Sequence, residues 1–147
     1  MVNITDVEAA YLAGFLDGDG SLGLAWNGRR QSAHIIAKVS FYNSNQQAIN
    51  YIANLIDKQP YTVRYRPRTD NRWYHTKPML TIGLSGRRAL DVIERLYPYL
   101  IVKRPQADIV LEFYRNPVTA AQRSGKRLPQ ETVDARLTAL EQLKAIK

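Results

Sequence analysis

Asp17-Gly18-Asp19-Gly20-Ser21 places two carboxylates two residues apart, each followed by a glycine, at the end of the apolar stretch in "YLAGFLDGDGSL" (residues 11–22). Hydrolysis of a phosphodiester needs charge neutralised at the phosphate and a water made nucleophilic. Mg²⁺ held by one or two carboxylates, with waters retained, supplies both. The C-terminal end of a helix is the negative pole of its dipole, so acids there are repelled unless something cationic compensates. Gly18 and Gly20 read as a hinge that turns the chain and lifts Asp19 off the helix surface. Residues two apart on a helix do not face the same way, so one acid is expected to be a ligand and the other structural. The same residues would also serve as a plain helix stop and turn, and the motif alone leaves both readings open.

The elements that must position these acids are legible from periodicity. Thr5 and Glu8 form a capping box, which starts a helix near Asp6. From Ala9 to Leu16 this helix is apolar on nearly every side, so several faces should be covered. Ala10, Ala13 and Gly14 are small enough to let a second copy approach. The period then changes to two: Leu22, Leu24 and Trp26 alternate with Gly23, Ala25 and Asn27. Asn27-Gly28 signals a turn. Ile35, Ala37, Val39 and Phe41 then alternate with His34, Ile36, Lys38, Ser40 and Tyr42.

A helix follows over "SNQQAINYIANLID", with Ile49, Ile52, Ala53 and Ile56 on one side. A second hairpin sets Val63 and Tyr65 against Arg64, Arg66 and Arg68, then Leu80, Ile82 and Leu84 against Met79, Thr81 and Gly83. "SGRRALDVIERLYPYL" and "PQADIVLEFYRN" read as two more helices, the second opened by Pro105. "NPVTAAQRSGKRLP" reads as a basic loop, and "ETVDARLTALEQLKAIK" as an amphipathic helix through Val133, Leu137, Leu140 and Leu143. The fold class is α+β: a four-stranded antiparallel sheet with helices on one face. Residues 1–115 form the core, and the basic loop and helix of 116–147 pack on the same domain.

The face left open by the helices is the second candidate surface. Period two assigns to it Asn27, His34, Ile36, Lys38, Ser40, Tyr42, Arg64, Arg66, Arg68, Met79 and Thr81. Arg29, Arg30, Gln31 and Ser32 extend it at the first hairpin tip, and Arg72 at the second. A row of arginines two apart is self-repelling and suits a polyphosphate partner. Arg also reads guanine, and Asn or Gln reads adenine, in the major groove. The chain carries 21 Lys+Arg against 13 Asp+Glu, a formal charge of +8. That balance points to nucleic acid. The absence of cysteine excludes disulfides and cysteine-bound zinc. With only two histidines, histidine-rich metal centres are not expected, and Asp108 and Glu112 read as the solvent side of a helix. No apolar run is long enough to span a membrane. The N-terminus lacks a signal-peptide pattern, so the expected location is the cytoplasm or nucleoid of a prokaryote, or the organelle that encodes the chain.

"YLAGFLDGDGSL" resembles the signature motif of the LAGLIDADG homing endonucleases. The helix–hairpin–helix–hairpin–helix order matches the αββαββα core of that family, with its saddle-shaped sheet. "FYNSN" (41–45) and "PYLIVKRPQA" (98–107) are similar to two further family segments, in the right order. A single motif implies the homodimeric branch of the family, each subunit delivering one motif acid to a shared centre. The resemblance implies a site-specific double-strand endonuclease that binds a long, near-palindromic duplex and cuts both strands across the minor groove. It implies Asp19 as the metal ligand, assisted by the Gly18 carbonyl. The cofactor the resemblance implies is Mg²⁺, with Mn²⁺ or Ca²⁺ able to substitute in binding. By the same resemblance Lys103 would fall beside the scissile phosphate, and Asn45 would hold active-site water or cap a helix. Asp17 would close the end of the partner's helix, so the expected interface set is Ala10, Ala13, Gly14 and Asp17. The basic residue that some relatives carry near the second helix has no counterpart in "QQAINYI". The alternative reading is a non-cleaving binder of the same fold, an intron maturase or a transcription regulator. Relatives of that kind often lose the motif acids, and both acids are present here.

Overall fold

The structure is a computed structural model, and it describes residues 2–28, 34–63, 78–121 and 127–146. The hairpin residues Arg29, Arg30, Gln31 and Ser32, and the arginine row Arg64, Arg66, Arg68 and Arg72, lie outside the described residues.

Helix α1 spans Asp6–Asp19 and opens on the expected capping box, Thr5 accepting from the Glu8 amide and Glu8 from the Thr5 amide. Strands β1 (Gly20–Trp26) and β2 (Ile35–Asn43) pair antiparallel, Gly20 opposite Phe41 and Trp26 opposite Ile35. Gly28 takes φ +93° where the chain leaves β1, a conformation that favours glycine. Helix α2 (Gln46–Leu55) leads to β3 (Tyr61–Val63) and β4 (Met79–Ser85). Helix α3 (Arg87–Leu96) runs into a 3₁₀ turn at Tyr97–Tyr99, followed by α4 (Arg104–Arg115), the short α5 (Pro117–Ala120) and α6 (Gln130–Ala145). The sheet order is β1-β2-β4-β3, antiparallel throughout. No described helix is long and apolar enough to cross a membrane.

The core lies between one sheet face and the helices. Leu22, Leu24, Ile35, Ala37, Val39, Phe41, Ile82 and Leu84 supply the sheet side, all buried as their alternation requires. Ala9, Leu12, Ala13 and Leu16 of α1 and Ile93 and Leu96 of α3 close on them. Each fully buried Leu or Ile in such a layer contributes about 1.5–3 kcal/mol. Arg95 of α3 donates to the Ile4 carbonyl and to the Asp6 carboxylate, both at 2.8 Å, and so ties the start of α1 to α3.

Four expectations need correction. Ala13 is fully buried in its own subunit's core, so it is not a surface through which a second copy could approach. Val63 pairs with Met79 and Tyr61 with Thr81, so Val63 shares the open face rather than the core face. All three β3 residues are exposed, and a strand with no buried side has weakly specified parity. The buried stripe of α6 is Thr132, Arg136, Ala139 and Leu143, with Leu137 exposed. It is rotated about one position from the apolar stripe, because Arg136 docks on α5. The Arg136 guanidinium donates to the carbonyls of Thr119 (2.8 Å) and Ala121 (2.7 Å), and burial pulls its pKa below the usual arginine value. Part of the expected basic loop is thus the helix α5, capped by Asn116.

Candidate active site on the rim of the open sheet face

Helix α1 does not hinge at its glycines. It continues through Gly18 to Asp19, and Gly20 is already extended backbone, at φ −138° and ψ −179°. Gly20 is required for close approach instead. A Cβ there would lie 2.5 Å from Leu16 Cδ1 and 2.8 Å from the Ser40 carbonyl oxygen. The strand therefore leaves the helix directly against its last turn, and Asp19 stands exposed at the junction.

The two acids part company as residues two apart on a helix should. Asp17 faces its own chain. Its Oδ2 accepts from the Ile101 (2.8 Å) and Val102 (3.1 Å) amides, and its Oδ1 from the Lys103 amide (2.9 Å). Three convergent N–H groups before a helix form an anion nest, and the start of α4 adds the positive end of its dipole. This corrects the assignment of Asp17 to a partner helix: its carboxylate closes the start of α4 in the same subunit. In return, Lys103 Nζ donates to the Asp17 carbonyl at 2.7 Å. The last turn of α1 has no basic residue of its own, so Lys103 supplies the cation that the negative helix end calls for.

Asp19 faces outward to a different set of groups. Asn43, at the end of β2, donates from Nδ2 to Asp19 Oδ2 at 3.0 Å. Asn43 Oδ1 accepts from the Asn45 amide at 2.7 Å, and Asn45 Oδ1 caps α2 by accepting from the Ala48 amide at 3.0 Å. The Asn45 carbonyl oxygen is thus committed to the helix cap, and the amide that reaches the candidate ligand is Asn43's. Sequence reasoning passed over Asn43. The available signal was parity: it falls in the inward series with Phe41, where a polar side chain must find a partner.

Asp19, Tyr42, Asn43, Ser44, Tyr61, Val63, Met79 and Thr81 line one cavity of 540 Å³ on the open face. Tyr42 is hydrogen-bonded to Ser21 beside it. Thr81 is only 2% exposed, so it forms the cavity floor and is corrected from a surface contact. Tyr61, half exposed, was not anticipated. Its hydroxyl lies 3.4 Å from where Gly83 would carry a Cβ, so the missing side chain at Gly83 lets the ring lie across β4. Asn27, His34 and Lys38 are exposed, Ser40 partly so. Asp108 and Glu112 sit on the solvent side of α4, where Asp108 accepts from the Tyr97 hydroxyl at 2.6 Å and thereby raises the phenol's pKa.

The donors around Asp19 suit a hard cation. Among the described residues no group of three or more His, Cys, Asp or Glu side chains converges, which does not fit a caged transition metal. An exposed carboxylate beside the unsatisfied carbonyls of a helix end is the partial, all-oxygen set with which Mg²⁺ is held when waters and phosphates complete its shell.

No protein-family model matches the chain, and no curated protein sequence does either. Solved structures do. The homing endonuclease I-CvuI in complex with its target superposes at a TM-score of 0.60 and 22% identity, over 95% of this chain and 80% of that one. The group I intron-encoded homing endonuclease I-CeuI complexed with DNA gives 0.61 and 16%, over 97% and 69%. The LAGLIDADG homing endonuclease I-GzeII in complex with its DNA target gives 0.56 and 14%, over 94% of this chain but 43% of that one. The chain has the fold of the LAGLIDADG homing endonucleases. It carries one copy of the motif, and it spans less than half of the I-GzeII chain.

Proposed function

We propose that the chain is a site-specific homing endonuclease that binds duplex DNA on its open sheet face and hydrolyses both strands as a homodimer. The observation that carries this reading is the placement of Asp19, exposed at the junction of the motif helix and the sheet, in a fold shared with DNA-bound homing endonucleases. Asp19 and the Gly18 carbonyl would hold Mg²⁺. Bound there, the ion supplies charge neutralisation at the phosphate and a more acidic water. An ammonium has three donors, so Lys103, spending one on Asp17, keeps others for the scissile phosphate. That phosphate gathers charge as the bond breaks. The open face, with Lys38, Ser40, Tyr42 and Tyr61, would lie in the major groove and bring Asp19 to both strands across the minor groove, leaving staggered ends.

The second copy is argued from the other side of α1. Val7 is 80% exposed, and Ala10, Tyr11, Gly14 and Gly18 continue the same stripe at helical spacing. Ile101 and Val102, 83% and 65% exposed, sit beside it, held there by Asp17. An apolar stripe with small residues along it suits a two-fold helix pair, which sets two Asp19 carboxylates near one axis. A maturase or regulator would not require an exposed acid at this junction, so its presence favours cleavage.

Selection of cut molecules from a random duplex library in Mg²⁺ tests the proposal. It should return one long, near-palindromic site with staggered ends. Binding without any recovered cut product would transfer the reading to the non-cleaving alternative.

A further inference from the structure

We infer that Asn43 is a positioning residue that makes Asp19 a one-oxygen ligand and thereby selects Mg²⁺ over Ca²⁺. The inference rests on the proposed metal role of Asp19. Asn43 Nδ2 occupies Asp19 Oδ2 at 3.0 Å, and among the described residues Oδ1 makes no hydrogen bond. Asn43 is itself fixed, because its Oδ1 accepts the Asn45 amide at 2.7 Å. That bond settles which end of the side chain faces Asp19: the end opposite the acceptor is the NH₂. Asn45 is fixed in turn by capping α2 at 3.0 Å. A relay of neutral amides from a helix terminus thus ends on one carboxylate oxygen. Mg²⁺ demands near-octahedral geometry and takes carboxylates through single oxygens, whereas Ca²⁺ accepts two-oxygen coordination and irregular shells. Holding Oδ2 withdraws the two-oxygen mode and leaves the mode that Mg²⁺ uses. Groups that orient a ligand typically change metal affinity about 10–100-fold when removed.

The test uses the isotopically labelled free protein with Mn²⁺ as a paramagnetic probe. Mn²⁺ should broaden the amide signals of Gly18 to Ser21, and Mg²⁺ or Ca²⁺ should compete it away. In Asn43→Ala the ratio of Ca²⁺ to Mg²⁺ competition should rise by about tenfold. Asn43→Leu, close to asparagine in shape, serves the same measurement if the alanine variant unfolds. Asn45→Ala removes the α2 cap while keeping the amide that donates to Asn43. It should lower thermal stability and move the ratio by much less than Asn43→Ala does, because the Asn45 amide that holds Asn43 is kept. A shift as large as that of Asn43→Ala would place the control in α2 and overturn the role of Asn43. An unchanged ratio in both Asn43 variants, with Mn²⁺ broadening still lost in Asp19→Asn, overturns the role of Asn43 alone. Broadening that persists in Asp19→Asn overturns the metal site on which it stands.

Discussion

At the residue scale, the two acids of one short motif do opposite work, and backbone direction explains it. Asp17 is turned toward the chain and grips three amide hydrogens; Asp19 is turned away and meets one asparagine. Hydrogen bonds to a charged group contribute about 1.5–3 kcal/mol each, and not additively within one cluster. Asp17→Ala is therefore expected to lower unfolding stability by about 2–3 kcal/mol, measured in urea. Asp19→Asn, at an exposed site, should stay within about 1 kcal/mol of the parent. Equal losses in both variants would remove the division of labour. The division itself was readable in the sequence as a consequence of spacing. The partner of Asp17 was not, because it lies 84 residues away at Ile101 and nothing local announces it.

At the scale of elements, the chain is held together by side chains that clamp one terminus to another. Arg95 and Asp6 join α3 to the first turn of α1. The hydrogen bond from Arg95, helped by Tyr99, holds the Asp6 carboxyl below its ordinary value of 3.8. A depressed carboxylate contributes stability above the unfolded pKa and loses it as pH falls through the lower folded one. Asp6→Asn should thus be less stable than the parent at pH 7 and converge with it as the pH falls below the ordinary carboxylate value of 3.8, as thermal melts against pH would show. A gap that stays constant with pH would mean the clamp is not ionic. The same scale shows where periodicity fails. The two hairpins and the order of the elements follow from alternation and capping signals such as Thr5 and Glu8. The face of α6 does not, because "VDARLTAL" spreads apolar residues around the helix and a buried arginine decides which side docks. Nor does the parity of β3, which has no buried face to fix it.

At the scale of the whole molecule, the active site proposed here is completed by symmetry. The chain buries Ala13 in its own core and leaves Gly14 over open space with nothing within 4 Å. Gly14→Leu should therefore fold as well as the parent, since a helical glycine is about 0.5–1 kcal/mol unfavourable against alanine. Its longer side chain should hold two copies of α1 apart. Sedimentation of the variant should give monomers at concentrations where the parent is dimeric. A Gly14→Leu dimer of unchanged strength would place the interface elsewhere.

In the proposed endonuclease Asp19 is the residue through which DNA is cut. The decisive measurement incubates the parent and Asp19→Asn with the duplex recovered by cleavage selection, in Mg²⁺, and follows binding in parallel. The parent is expected to break both strands. Asp19→Asn should bind the same duplex with affinity within a few-fold and leave it intact. Cleavage by Asp19→Asn at the parent's rate would remove Asp19 from the active site.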